Sequence, residues 1–244
     1  MEVQRDGIFD VRRAGILESP GRLQNLRPPV LLKEVAGVRE GQTVVDLGSG
    51  TGVFALPMAG MVGKDGRVYA VDNSPAMMEH IRAKNPPPNL MPVLADVTRT
   101  GLPDSIADIC LLASILHEVS EPGRLVAEAA RLLKPGGRAV VVDYRAELNS
   151  PGPPRHKRIS QEQLRRFFKQ AGINFASYRE WTDSYYVAVG EKPAWNARVK
   201  ELEDSIAELK SRWPAHSVPP HMWQQLEDLE EQLERAKKEK TDLS

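Results

Sequence analysis

The period of apolar positions changes several times along the chain, and each change marks an element. Thr43–Leu47 is β-branched and apolar around one acid, Asp46; glycines follow at 48, 50 and 52, and an apolar helical pattern opens at Val53 and Phe54. That order predicts a buried strand, a tight turn and a helix start. Arg67–Val71 reads as a second strand ending at Asp72, with a helix over Ser74–Lys84. Leu90–Leu94 reads as a third strand, ending at Ala95, Asp96 and Val97. Ile106–Ala113 reads as a fourth, leading into Ser114, Ile115, Leu116, His117 and Glu118. A helix from about Pro122 to Leu133 stops at Lys134-Pro135-Gly136-Gly137, and Arg138–Tyr144 reads as a fifth strand. Ser160 caps a predicted helix over Gln161–Ala171. Ile173–Trp181 and Ser184–Gly190 are expected to pair antiparallel across Thr182 and Asp183.

Strands alternating with helices predict an α/β fold, a mostly parallel sheet with helices on both faces. Three regions follow: an N-terminal cap segment over 1–28, in which Arg22–Leu26 suggests a short helix; the alternating core over 29–191; and a third region over 193–244. In the last, Trp195, Val199, Leu202, Ile206, Leu209 and Trp213 recur at steps of 4-3-4-3-4, and Met222, Leu226, Leu229, Leu233 and Ala236 at 4-3-4-3. Both are coiled-coil-like stripes. Pro214, Pro219 and Pro220 between them cannot continue a helix, so an α-helical hairpin is expected. It zips onto itself to cap the domain, pairs with another subunit or partner protein, or does both.

The glycines carry the chemistry. Only a residue without Cβ lets the chain turn so sharply and approach a ligand closely, and the helix start behind it favours a negatively charged group. Dinucleotide sites place their third glycine one residue later than Gly52, and the chain has no G-x-x-x-x-G-K run for a phosphate loop. The form Asp46-x-Gly48-x-Gly50-x-Gly52, the acids Asp72 and Asp96 ending the next two strands, and the "LLKPGG" run before the fifth strand together resemble the class I S-adenosylmethionine-dependent methyltransferases over residues 20 to 191. The resemblance implies a Rossmann-like, mostly parallel seven-stranded sheet, with the last hairpin strand inserted beside the fifth. It also implies S-adenosylmethionine as cofactor, with Gly48 and Gly50 along its methionine part, Ser49 and Gly52 as further cofactor-binding candidates, and Asp46 holding its amino group. Asp72, with Asn73 beside it, is placed for the ribose hydroxyls; Asn73 and Ser74 are equally good helix caps, which leaves Asp72 free. Asp96 and the Val97 amide match the adenine contacts, and Ser114 is a candidate for the methionine end.

His117, past the fourth strand, is the candidate general base, since its ordinary pKa suits neutral pH; the same LHEV run also reads as a helix start with His117 bonding locally. Asp143, Tyr144 and Arg145 end the fifth strand on the same rim. The loop from Pro151 to Ser160 carries Arg155, His156 and Arg158, candidates with Tyr144 for gripping an anionic substrate. Methyl transfer is an in-line displacement that asks mainly for alignment and desolvation of the nucleophile, so the cofactor half of the site is legible and the acceptor half is not.

Charge narrows the partners. Lys plus Arg and Asp plus Glu both count 33, so no general pull toward nucleic acid exists. The single cysteine, Cys110, excludes an intrachain disulfide and reads as a small core residue. No signal peptide, bilayer-length apolar run or metal-ligand spacing is found, so no membrane span and no metal are expected, and a cytoplasmic setting is. Nucleobase amino-methylating enzymes carry Asn/Asp-Pro-Pro-aromatic where Ala113–Leu116 stands here, cytosine-C5 enzymes need a cysteine nucleophile there, and arsenite enzymes need several cysteines. The resemblance that remains is to small-molecule methyltransferases of ubiquinone/menaquinone-biosynthesis type. The expected function is methyl transfer to a small molecule. The alternative is a non-catalytic cofactor-binding scaffold or sensor acting through the hairpin, and an NAD-dependent dehydrogenase is disfavoured by the glycine spacing.

Overall fold

The computed structural model describes residues 14–147, 152–213 and 218–242. It divides into two compact units, 1–192 and 193–244. In the first, α1 (Ala14–Leu17), α2 (Pro20–Leu26) and α3 (Pro28–Val30) run into a π-helical turn over Leu31–Ala36. Then follow β1 (Thr43–Leu47), α4 (Ala55–Val62), β2 (Arg67–Asp72), α5 (Pro75–Ala83), β3 (Leu90–Leu94), β4 (Ala107–Ala113), α6 (Pro122–Leu132), β5 (Leu133–Tyr144), α7 (Gln161–Gln170), β6 (Asn174–Glu180) and β7 (Tyr185–Glu191). The seven strands form one sheet in the order β3-β2-β1-β4-β5-β7-β6, parallel from β3 to β5 and antiparallel at β7 and β6.

Burial follows strand periodicity. Val44 packs into the core on one face with Ala55, Met58, Ala59 and Val62 of α4, while Val45 and Leu47 pack on the other with α6 and α7. Side chains alternate across a strand, so Asp46 points to the α4 face, where it is 1% exposed. Two tethers hold the N-terminal helices to the sheet: the Trp181 indole donates to the Leu26 carbonyl at 2.9 Å, and the Arg27 guanidinium lies 4.6 Å from the Trp181 ring centre. Among the described residues no helix is long and apolar enough to cross a membrane.

Two local expectations are corrected. The Lys134–Gly137 run does not separate helix from strand. It bulges inside β5, which begins at Leu133: Ala107 pairs with Leu133, and the next pair is Ile109 with Arg138. Its edge is closed by Gly136 N–H donating to the Lys192 carbonyl and Lys192 N–H to the Gly137 carbonyl, both 2.9 Å. A Cβ on Gly137 would stand 2.8 Å from the Lys134 oxygen and 3.1 Å from those of Ala107 and Asp108, which is why this position takes glycine. The LHEV run likewise starts no helix. It is a turn, with Glu118 N–H donating to the Ile115 carbonyl at 3.0 Å.

The second unit is a pair of helices, α8 (Trp195–Ser211) and α9 (Pro220–Asp242). Leu202, Leu209, Leu226 and Ala236 from the two stripes are buried. Arg198 to Gln232, Lys210 to Glu230 and Lys237 to Glu203 bridge the helices, and the Trp213 and Trp223 rings meet with centroids 4.8 Å apart. Residues 214–217 of the expected connection lie outside the described residues, as do residues 1–13 of the N-terminal segment.

Candidate functional site

The site is assembled where β1 and β4 end beside each other. After β1 the chain turns through Gly48, Gly50 and Gly52, with φ of 82°, 51° and 83°. Gly48 and Ser49 N–H both donate to the Val71 carbonyl at 2.9 Å, which ties the turn to β2. A Cβ on Gly48 would lie 2.7 Å from Ile115 Cγ1. At the end of β4, Ser114 holds the left-handed conformation at φ 56°, which a residue with a Cβ adopts only when its surroundings impose it; its N–H donates to the Val142 carbonyl at 2.7 Å.

These loops wall a solvent-open cleft of about 500 Å³. It is lined by Gly48, Ser49, Gly50, Thr51, Val53 and Phe54 from the glycine turn and by Ala113, Ser114, Ile115 and Glu118 from beyond β4, with Asp72, Met77, Leu17 and Arg22 completing it. Beneath the turn, both Asp46 carboxylate oxygens lack a hydrogen-bond partner, as do the Ser49, Thr51 and Ser114 hydroxyls. Buried polar groups in folded proteins are ordinarily satisfied, so an unpartnered carboxylate and three hydroxyls around one cleft mark a place built for a polar ligand. Burial, and then the charge of Asp72, push Asp46 up to about 7; the Ala55 amide, outside hydrogen-bond geometry, offsets only part of this. Burial also raises Asp72, against the Ser74 and Gly50 amides that donate to it at 2.9 Å each.

Behind the cleft lies an acid–base cluster. His117 Nδ1 is 2.6 Å from Asp143 Oδ1, and its Nε2 is 3.7 Å from Glu118 Oε1. Asp143 is 1% exposed and also accepts from the His117 and Tyr144 amides. An imidazole held this way donates Nδ1–H to Asp143 and turns Nε2 toward Glu118. Burial alone would lower His117, but the Asp143 charge and hydrogen bond outweigh it and raise the imidazole above its ordinary value. Burial raises Glu118, opposed by His117 and reinforced by Asp143 and Asp72. The Tyr144 ring packs edge-on to His117 at 5.3 Å, and the Tyr144 and Tyr185 hydroxyls are 2.9 Å apart.

Of the residues singled out from sequence, Gly48, Ser49, Gly50, Asp72 and Ser114 line the cleft. Gly52 closes the turn by donating to the Ser49 carbonyl at 2.9 Å. Ser74 caps α5 through its hydroxyl, yet Asp72 is not thereby free, because its two oxygens each hold a backbone amide. Asn73 and Asp96 are exposed and Val97 is buried; none of the three lines the cleft, and Asp96 Oδ1 is taken by the Thr98 amide and hydroxyl. His117 stands one residue behind the wall that Glu118 forms. The residues expected to grip an anion stand apart from the cleft: Arg155 and His156 are exposed on a 3-10 turn, and the buried Arg158 donates to the Pro153 and Arg145 carbonyls, 3.0 Å each. Neither these three nor Tyr144 line the cleft. Pro151 of that loop lies outside the described residues. Cys110 is buried in β4, with its thiol pushed up by burial, as a core residue is.

Sequence reasoning missed Glu118, Leu17 and Arg22. Glu118 had a signal, the acid directly after His117. Leu17 and Arg22 had none, since their place over the glycine turn arises from the path of α1 and α2. Arg22 donates to the Leu17 carbonyl at 2.8 Å, and Glu18 next to Leu17 pairs with Lys84 and, at 3.2 Å, with His80.

Comparison with known proteins agrees with this geometry. Residues 45–141 match the family model described as a methyltransferase domain. The chain is 30% identical over 155 residues to the ubiquinone/menaquinone biosynthesis C-methyltransferase UbiE of an Enterobacter species, an alignment spanning 62% of this chain and 62% of that protein; the chain thus spans about three fifths of the length of the curated relatives it matches. A S-adenosylmethionine-dependent methyltransferase of Aquifex aeolicus superposes with a TM-score of 0.70 at 28% identity, covering 76% of this chain and 100% of that one. The cyclase SpnF shares the fold at a TM-score of 0.60 and 20% identity, over 69% of this chain and 80% of that one.

Proposed function

We propose that the chain is a class I S-adenosylmethionine-dependent methyltransferase that transfers a methyl group to a small-molecule acceptor, a reading supported by the methyltransferase-domain match over residues 45–141 and by the similarity to UbiE and to the Aquifex aeolicus enzyme. The observation that carries the reading is the ring of unpartnered buried polar atoms around the glycine turn: Asp46, Ser49, Thr51 and Ser114. They suit an amino-acid tail, an ammonium for the carboxylate and a carboxylate for the hydroxyls. Asp72 keeps acceptor capacity for ribose hydroxyls, and Asp96 Oδ2 and the Val97 amide, past β3, are the groups left for the adenine edge. The bound cofactor supplies an electrophilic methyl on a sulfonium. The protein's part is to orient the tail through Asp46, exclude water with Leu17, Phe54 and Ile115, and present Glu118 to the acceptor.

Similarity to a C-methyltransferase of quinone biosynthesis supports a carbon of an apolar ring as the acceptor atom. The Glu118–His117–Asp143 cluster favours an enzyme over a binding-only scaffold, which has no use for a buried acid–base group. The hairpin is read as a coiled-coil-like docking or self-association module, tested by the mass of the full chain in light scattering. A buried free thiol suits a reducing compartment, and the cytoplasm is part of the reading.

Calorimetric titration with S-adenosylmethionine, S-adenosylhomocysteine and NAD tests the site. Micromolar binding of the first two, weakened at least tenfold by Asp72→Ala, is expected. Binding of NAD alone would refute the proposal. Label transfer from methyl-labelled cofactor to reduced naphthoquinones tests the acceptor class.

A further inference from the structure

The sequence draws attention to His117, but the cleft wall is Glu118. Among the described residues, the Glu118 carboxylate has one ion-pair partner, His117 Nε2 at 3.7 Å, and accepts no hydrogen bond. The other acid on the wall, Asp72, is occupied by two backbone amides, and Asp46 lies beneath the glycine turn. Glu118 is therefore the lining carboxylate that, among the described residues, accepts no hydrogen bond and has all its lone pairs open to a ligand. Behind it His117, whose side chain is 8% exposed, is locked by Asp143, 1% exposed, through a 2.6 Å hydrogen bond. The charged groups facing Glu118 are His117, Asp143, Asp72 and Arg22.

We propose that Glu118 is the group that takes the proton from the methyl acceptor, and that His117, fixed by Asp143, is a positioning residue that keeps Glu118 ionised. This rests on the methyltransferase reading and deepens it: the acceptor carries a proton it must lose, a hydroxyl or an electron-rich ring C–H, and is not an amine or thiolate already deprotonated. As the acceptor–methyl bond forms, the methyl–sulfonium bond breaks and its electron pair leaves on sulfur as a thioether; the acceptor's proton goes to Glu118 Oε. The imidazole beside Glu118 opposes the upward push of burial on that carboxylate and so favours its ionised, proton-accepting form. Asp143 ensures that the imidazole carries its charge.

The test uses the full chain with carboxyl-labelled glutamate and labelled histidine, loaded with S-adenosylhomocysteine, in wild type, His117→Gln, Asp143→Asn and Glu118→Gln. Carbon NMR of Glu118 is expected to titrate about one pH unit higher in His117→Gln, and the His117 ring to titrate lower in both Glu118→Gln and Asp143→Asn. Affinity for S-adenosylhomocysteine should stay within threefold in His117→Gln and Asp143→Asn, whose side chains do not line the cleft. With 1,4-dihydroxynaphthalene as acceptor, Glu118→Gln should lose at least a hundredfold in kcat, and His117→Gln should move the acid limb of the pH profile upward by the same unit. A merely structural His117 would lower the plateau without moving the limb. An unmoved Glu118 titration in His117→Gln, or undiminished turnover in Glu118→Gln, overturns the proposal. Failure of the wild type to bind S-adenosylhomocysteine overturns the underlying reading instead, whatever the histidine does.

Discussion

Binding of the cofactor should release protons, because Asp46 is only half ionised at neutral pH before a cation reaches it. Its carboxyl is held at about 7 by burial and by Asp72. An ammonium group within hydrogen-bonding distance lowers a carboxyl by about one to three units, and a shift in the upper part of that range holds Asp46 ionised in the bound site from pH 6 upward. At pH 7 about half a proton leaves per cofactor bound; at pH 6, about 0.9. Affinity falls with acidity for the same reason, Kd rising about fivefold from pH 7 to pH 6. Both points lie below the ordinary range of an α-amino group, so the ligand's own titration contributes little. The assay is isothermal calorimetry with S-adenosylhomocysteine in buffers of different ionisation enthalpy, where the slope of apparent enthalpy against buffer enthalpy counts the protons. The Asp46→Asn variant should bind more weakly and release almost none. Zero slope at both pH values in the wild type, or an unchanged slope in the variant, would refute the reasoning that Asp46 is the ammonium partner.

Other consequences are separable from catalysis. Raising Asp46 from 3.8 to about 7 means folding favours its protonated form. The cost is absent below the unfolded value, grows as pH rises from there toward 7, and levels off above 7 at about 4 kcal/mol. Asp46→Asn should therefore stabilise the unliganded protein by one to a few kcal/mol (a rough bound from that ceiling) in denaturant melts at pH 8, and by much less at pH 4. Gly137→Ala forces a methyl against three carbonyl oxygens and should lose about 1–3 kcal/mol in the same melts. Ser160→Ala removes the α7 capping box at a cost of about 1 kcal/mol. Glu18→Gln unfastens the α1–α2 turn from Lys84 and His80; since the pair is half-exposed the loss is under about 1 kcal/mol, seen as faster amide exchange over residues 17–26 without a change in global stability.

How much of this was readable in the chain depends on the range of the forces involved. The strands, helices and glycine turn follow from local periodicity and from conformations only glycine holds cheaply, so the β–α alternation, the hairpin over β6 and β7 and the two helical stripes of the second unit were all legible. So were the acids ending β1 and β2, because an acid after a buried apolar run has few other places to go. Which groups meet in the cleft was decided by tertiary structure. Asp143 reaches His117 across 26 residues only because β4 and β5 pair in register, and the turn after Ser114 then swings Glu118, not His117, onto the wall. Arg158, solvent-facing by its sequence, is buried on backbone carbonyls that the loop after β5 would otherwise leave unsatisfied. Leu17 and Arg22 enter the site because Trp181 and Lys84, far along the chain, hold the N-terminal helices over it. Patterns of a few residues fix backbone shape, which short-range sterics govern; the direction of a side chain at the end of a strand depends on register and turn geometry, which exist only once the sheet has formed.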